Sequence, residues 1–437
     1  MYTWIKDAVI ITMDPEQPIL MSGHLVVADQ RIIYVGNDPL APQQQEQCQR
    51  VIDGRKRLVL PGLINAHTHI GMAPFRNFAS DLPLDVWLFE KLFPMEDKLT
   101  AEDIHWASQL SIAEMLRTGT TTFADMYMFS GTTADVVADT GIRADLSRGL
   151  QCFDDDFDLA TDRRIQEAVA LLDNYHGAAD GRITVRLAPH AVYTCRPRYL
   201  QEVAALAKER GVGIHIHLSE TAKENADCQA AFGKSPTEHL ADLGVLRQPT
   251  LAAHGVHLAD SDRQLLREFG TAVVHNPGSN LKLGSGVAHV PALLASDVTV
   301  ALGTDGVASN NNMDMLQEVY LAAVLSKGVF QDSVGVTAHQ ALEMATVAGA
   351  KALGFPDLGQ LRAGMKADLV MVDLDQPHYY PLQDPVAAMV YAGQGSDVAL
   401  TMVDGRVLYE NGDYTTLDID RIQWEIERLT EDLFQRR

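Results

Sequence analysis

The rhythm of apolar and polar positions changes twice along this chain. Over the first 57 residues it alternates in short runs, "DAVIITMD", "GHLVVADQRIIYVG" and "QRVIDGRKRLVL", each stopped by Gly, Asp or Pro. A period of two sends successive side chains to opposite faces and predicts β-strands. The same texture returns late in the sequence as "KADLVMVDLD" and "DVALTMVDGRVLYENGDY", where Asp-Gly and Asn-Gly supply hairpin turns. Neither end alone has strands enough for a good core. The expectation is one small β-sandwich-like domain built jointly from residues 1–57 and 365–437.

Between them, over residues 58–364, short apolar runs alternate with helical patterns. "TTTFADMY" follows the helical "EDIHWASQLSIAEMLRTG", and "IRADLSRGL" follows "GTTADVVADT". "ITVRLAPH" follows "RRIQEAVALLDNYHG", and "VGIHIHLSE" follows "PRYLQEVAALAKERG". "TLAAHG", "TAVVHNPGS" and "VTVALGTDG" continue the series behind "SPTEHLADLG", "SDRQLLREFG" and "HVPALLAS". With "LVLPGLINAHTH" at the head this makes eight strands, and strand–helix repetition on that scale predicts an α/β, TIM-like (β/α)8 barrel. A doubly wound sheet is the competing architecture, but no GxGxxG follows an early strand.

Composition narrows function more than fold. The 437 residues suit one large domain with a smaller companion, and 46% hydrophobic with 21% charged residues is ordinary for a globular protein. Thirty-five basic against 58 acidic residues leave a net charge of −23, which argues against nucleic acid and against anionic membrane surfaces. No run approaches the ~18–20 apolar residues of a membrane span. The opening "MYTWIKDAVIITMDPEQ" lacks the layout of a signal peptide. Cys48, Cys152, Cys195 and Cys228 are scattered, so neither a disulfide framework nor a cysteine metal site follows. The expectation is a reduced, cytoplasmic enzyme acting on a small molecule.

The chemistry collects at the strand ends. His67 and His69 close the first strand, His217 the fifth, His254 the sixth and Asp305 the eighth. Barrel strands converge at their C-terminal ends, where active sites are built. Residues at i and i+2 share a strand face, so His67 and His69 can address one ion. A lone strand-end histidine is ordinarily a core or loop residue. Three of them with a carboxylate suit a divalent first-row metal, foremost Zn²⁺. In "IHIH", His215 and His217 could both face inward; His217, nearer the strand end, is taken as ligand and His215 as its support. Glu220, three residues beyond His217, is placed to move protons beside the metal, although a carboxylate at a helix N-terminus is common.

With these residues in view, the chain resembles the amidohydrolase superfamily and, within it, the 5-methylthioadenosine/S-adenosylhomocysteine deaminases. The resemblance rests on "PGLINAHTHIGM", "FPMEDKLTAED", "RTGTTTFADMY", "APHAVYTC", "IHLSET", "AAHGVHL", "HNPGSNLKLGSG" and "LGTDGVASNNNMDM". It implies one metal ion held by His67, His69, His217 and Asp305. Members with two metals usually place a carboxylated lysine at the end of strand four, where this chain reads "RLAPHAV" with His190.

The implied reaction is hydrolytic deamination at adenine C6, with 5-methylthioadenosine, S-adenosylhomocysteine and adenosine as candidate substrates. Asp305 and His254 help deprotonate the attacking water, and Glu220 protonates the adjacent ring nitrogen. Glu96, in "FPMEDKL", matches a position that accepts from ribose hydroxyls, and His190 matches a substrate-contact position. Arg148, in "LSRGL", could reach the sugar or a homocysteine carboxylate, or make an ordinary surface ion pair. Trp87 and Phe93, in "LDVWLFEKLF", could meet a thioether tail or form a helical core face. "ASNNN" shapes the loop after strand eight, and His257 is read as structural. The competing functions are a guanine or other aminopurine deaminase, a triazine chlorohydrolase, and a non-catalytic binding relative, which would be expected to have lost metal ligands. Only the resemblance suggests a homo-oligomer.

Overall fold

The computed structural model describes residues 2–436. Eight strands form the centre: β1 (Leu63–Thr68), β2 (Thr120–Tyr127), β3 (Arg143–Leu150), β4 (Ile183–Pro189), β5 (Ile214–Leu218), β6 (Thr250–His254), β7 (Ala272–His275) and β8 (Val300–Leu302). They lie in chain order, each parallel to the next. Between β8 and β1 the ring is drawn together by single bonds. The Asp305 N–H donates to the His67 carbonyl at 2.9 Å. The Asn65 amide donates to Thr304 Oγ1 at 2.7 Å and accepts from the Thr304 N–H at 2.9 Å. Gly303 sits at this seam, and a Cβ there would lie 2.8 Å from the His67 backbone nitrogen, so the approach needs a glycine.

The helical patterns fold where they were expected. Thr100 and Asp103 make a capping box that starts the helix Ala101–Arg117, and Gly211 in the left-handed conformation ends Pro197–Arg210. After β8 the helices Met315–Phe330, Ala338–Met344 and Val347–Leu353 return the chain to the other end of the barrel. No helix among the described residues is long and apolar enough to cross a membrane.

The two chain ends meet in one mixed sheet of nine strands. Arg57–Pro61 pairs parallel with Tyr2–Ile11 on one side and antiparallel with Leu369–Asp373 on the other. Alternation explains why these central strands are apolar at nearly every position. Leu58, Leu60, Val370 and Val372 join the barrel's hydrophobic core, while Val59, Leu369 and Met371 join a second core within the sheet unit. The expected sandwich-like unit is thus hydrogen-bonded as a single continuous sheet.

One stretch departs from the expected β-rich end. Ile419–Gln435 is a helix, and it packs against the barrel helix Ala101–Arg117 through Ile422, Leu429 and Trp106. Its apolar residues Ile422, Ile426, Leu429 and Leu433 recur at three- and four-residue spacing, the signature of a helix with one buried face. Arg436 ties its end to the buried Asp103.

Candidate active site

The histidines at the strand ends are held by their far nitrogens. His69 Nδ1–H donates to the Met126 carbonyl at 2.5 Å, and His217 Nδ1–H donates to the His190 carbonyl at 2.8 Å. His67 Nδ1 meets His215 Nε2 at 2.8 Å. These bonds hold the rings so that their Nε2 atoms turn towards one point, as the outer hydrogen bonds of metal-binding histidines do. His69 Nε2 and His217 Nε2 are 3.4 Å apart, and His67 Nε2 is buried without a hydrogen-bond partner. The candidate ligand atoms of His67, His69 and His217 all lie within 4.8 Å of one another. Imidazole nitrogens converging in a buried space beside a carboxylate are a donor set that fits a metal ion.

Asp305 completes the cluster. Its Oδ1 lies 3.4 Å from His67 Nε2 and 3.2 Å from His69 Nε2. Its Oδ2 accepts from Ser279 Oγ at 2.6 Å and from Ser309 Oγ at 2.8 Å. Burial alone would raise this carboxyl; the imidazoles of His67 and His69 hold it well below the usual range.

Glu220 and His254 face each other, Oε2 to Nε2, at 3.8 Å. Burial pushes the Glu220 carboxyl up, with His254 and the Ser285 hydroxyl, 3.2 Å away, opposing in part. His254 Nδ1 meets the Asn280 amide at 2.9 Å. Glu224 accepts from the backbone N–H groups of Ser219 and Glu220 at 3.0 and 2.8 Å and fixes the turn that carries Glu220. Ser219, His254 and Asp305 adopt positive φ of 48°, 76° and 63° at the exits of β5, β6 and β8. Non-glycine residues hold such conformations only where surroundings impose them.

A cavity of about 690 Å³ opens over this cluster, large enough for a nucleoside-sized ligand. Glu96, Arg148, His190, Glu220, His254 and Asp305 all line it. Glu96 is buried and accepts from Tyr127 Oη at 2.7 Å. The His190 ring lies 4.4 Å from that of His217, and burial pushes its imidazole down to about 3, so it is neutral. Arg148 reaches the wall but is engaged elsewhere: Nε donates to Glu167 at 2.7 Å and Nη1 to the Gly149 carbonyl at 2.6 Å. Trp87 and Phe93 also line the cavity, on a π-helical turn (Val86–Leu92) and the helix that follows it. His257 donates from Nε2 to the Ser285 carbonyl, away from the cluster.

Several contributors escaped the sequence. Ser279 and Asn280 from the short helix Pro277–Lys282, Ser309 from a loop and Tyr127 from a strand end each reach the site through a side-chain bond and leave no periodic mark. Asn310 donates to the Thr304 carbonyl and to Glu318, a loop-shaping role in "ASNNN". The Ser279 position is legible only in hindsight, in "NPGSN", where Gly278 leaves room for Glu318 at 2.5 Å from a would-be Cβ.

The sequence pattern of the amidohydrolase family matches residues 58–408. A 5-methylthioadenosine/S-adenosylhomocysteine deaminase from Thermoanaerobacter pseudethanolicus is 43% identical over 433 residues, covering 99% of both chains. Among solved structures, an adenosine deaminase from Xanthomonas campestris with bound zinc superposes with a TM-score of 0.92 at 32% identity, covering 99% of each chain. The zinc complex of an atrazine chlorohydrolase from Arthrobacter aurescens gives 0.89 at 27% identity, covering 98% of this chain and 100% of that one.

Proposed function

This chain belongs to the amidohydrolase family, and from that membership we propose that it is a metal-dependent aminohydrolase that deaminates 5-methylthioadenosine and S-adenosylhomocysteine at adenine C6. Deaminases of that name are 41–46% identical to it over nearly the whole chain. The observation that carries the reading is the convergence of imidazole nitrogens of His67, His69 and His217 beside Asp305, opposite the pair Glu220–His254.

In this reading His67, His69, His217 and Asp305 hold one divalent ion, zinc by preference. A bound divalent ion lowers the pKa of water towards about 7 and so makes a nucleophile available at neutral pH. Asp305, its Oδ2 occupied by two serine hydroxyls, offers Oδ1 to the attacking water's proton. Turning the Asn280 amide presents its oxygen, which otherwise lacks a partner, to an Nδ1–H of His254 and leaves Nε2 free as a second base. Glu220, raised by burial, keeps a proton closer to neutrality than an exposed carboxyl and delivers it to the ring nitrogen beside C6. Water adds at C6, the proton taken from it passes to the amino group, and ammonia leaves with the C6–N bond pair as the C6 hydroxyl returns its proton to Glu220 and the C6=O bond forms. Glu96 accepts from the ribose hydroxyls. His190 and, once released from Glu167, Arg148 bound the substrate. Residues 58–364 act as the catalytic domain, with the sheet from the chain ends as its support. All four cysteines are free, which suits a reducing compartment such as the cytoplasm.

The test is ammonia release from the zinc-loaded protein with methylthioadenosine, S-adenosylhomocysteine, adenosine and guanine side by side. Turnover of the thioether nucleosides well above guanine is expected. Turnover of guanine alone would discard the substrate assignment, and no ammonia from any of them would discard deamination.

A further inference from the structure

Glu96 has only one of its two oxygens engaged by the protein. Oε1 accepts the Tyr127 hydroxyl proton at 2.7 Å, and no donor reaches Oε2 among the described residues. The carboxylate is buried yet lines the cavity. Burial pushes Glu96 up, and the Tyr127 hydrogen bond is the foremost influence pulling it back towards its charged form. A carboxylate with one oxygen pinned by a phenol and the other open to a cavity is a prepared acceptor: its torsion is set before a ligand arrives.

Tyr127 is itself held. It is the last residue of β2, directly after Met126, whose carbonyl accepts from His69. Its ring lies 6.2 Å from the His69 ring. Gly71, in the turn after β1, makes room for it: a Cβ there would lie 2.4 Å from the ring's Cδ1 and 2.6 Å from Cε1. Real side chains do not approach so closely, so Gly71 and Tyr127 form a fitted pair. The phenol therefore links two parts of the site, the end of the strand that carries a metal-binding histidine's acceptor and the helical turn that carries Glu96. Nothing in its sequence context, "ADMY", marks it for this task.

We propose that Tyr127 is a positioning residue for substrate selection: it holds Glu96 so that Oε2 accepts from the 2′- and 3′-hydroxyls of a ribonucleoside, and it thereby sets how strongly the site demands an intact cis-diol. The inference rests on the nucleoside reading above and deepens it. The two hydroxyls of a ribose can share one carboxylate oxygen or bridge to both, and the pinned torsion keeps Oε2 available. Without the phenol the carboxylate turns freely and loses a charge-assisted bond that keeps it ionised.

The experiment compares wild type, Tyr127→Phe and Glu96→Gln on methylthioadenosine and on its 2′,3′-dideoxy analogue. The readout is the ratio of kcat/KM between the two substrates, with kcat and KM separated. Phe keeps the ring against Gly71 and removes one oxygen, and the thermal midpoint and zinc content report whether the fold and metal centre survive. In Tyr127→Phe the ratio is expected to fall about tenfold, the worth of one hydrogen bond to a charged group, mainly through KM of the diol substrate. In Glu96→Gln it should fall at least as far. An equal loss on both substrates, or no loss on either, would overturn the role of Tyr127. If Glu96→Gln keeps the wild-type ratio, Glu96 does not read the ribose, and the underlying assignment fails instead. If the zinc content of Tyr127→Phe drops, the phenol serves the His69 side of the site and the inference is wrong.

Discussion

The two ends of the barrel bury polar groups on opposite terms. At the N-terminal end, Arg143 opens β3 fully buried and is met by Asp368 at 3.1 Å and Asp404 at 2.7 Å, with Lys366 on Asp404 at 3.0 Å. Close by, Arg186 on β4 pairs with Asp145 on β3 at 3.0 Å. Cations and anions are matched there, and Asp368 and Asp404 belong to the sheet unit, so the pairs fasten that unit to the barrel. At the C-terminal end, imidazole nitrogens face one another, three non-glycine residues sit at positive φ, and Glu220 and Glu224 lie buried with no lysine or arginine on either among the described residues. One end closes its electrostatics within the protein; the other leaves them to be completed by what binds. Function and anchorage are thereby separated along a single axis.

The sharpest way to break this contrast is to remove a member from each end. His217→Ala is expected to lower kcat/KM by at least about a thousandfold and to abolish metal loading, while the metal-free protein unfolds in urea within roughly 1–2 kcal/mol of wild type, since the histidine leaves an unfavourable cluster. A large loss of metal-free stability would mean that the cluster is structural. Asp368→Ala should do the reverse. Stripping a partner from buried Arg143 is expected to cost roughly 3 kcal/mol in denaturant unfolding, with kcat/KM within a few-fold of wild type. Loss of activity out of proportion to stability would show that the anchor also shapes the site.

The smallest effect concerns pH. Burial raises Glu318, which holds the Gly278 N–H and the Asn310 amide, to about 7. The native state then keeps a proton that the unfolded chain has released, so stability is present below the ordinary carboxylate pKa and is lost as pH rises through about 7. Unfolding followed at several pH values should show this decline, and Glu318→Gln should flatten it. An unchanged slope would place the dependence on other groups.

The same contrast explains what the sequence could tell. Barrel strands are legible because repeated burial imposes a period, and "TTTFADMY" coincides with β2 from Thr120 to Tyr127. His67 and His69 are legible because the i, i+2 spacing of a strand is itself a geometric statement. Ser279 and Ser309 are not, because a single hydroxyl reaching Asp305 depends on how a short helix and a loop fold against each other. Arg143 gave no signal either, since its partners lie 225 and 261 residues away. The helix Ile419–Gln435 was readable by its spacing, but the β-rich run before it drew the whole end of the chain into one class. Glu96 sits between these cases. Its motif pointed to it, whereas the hydroxyl that bonds to it lies 31 residues later, at the end of a strand.

The stitched sheet has a consequence for how the chain is made. Arg31 bonds to the Gly364 carbonyl across 333 residues of sequence, and Arg57–Pro61 awaits Leu369–Asp373 as its antiparallel neighbour. At synthesis rates of roughly 5–20 residues per second, the first strands emerge tens of seconds before their partners exist. For that interval they carry an open ladder of donors and acceptors, the kind of edge that recruits the wrong strand. Every barrel strand precedes Leu369–Asp373 in the chain, so the order of birth presents the whole barrel before the two ends of the chain are finally joined.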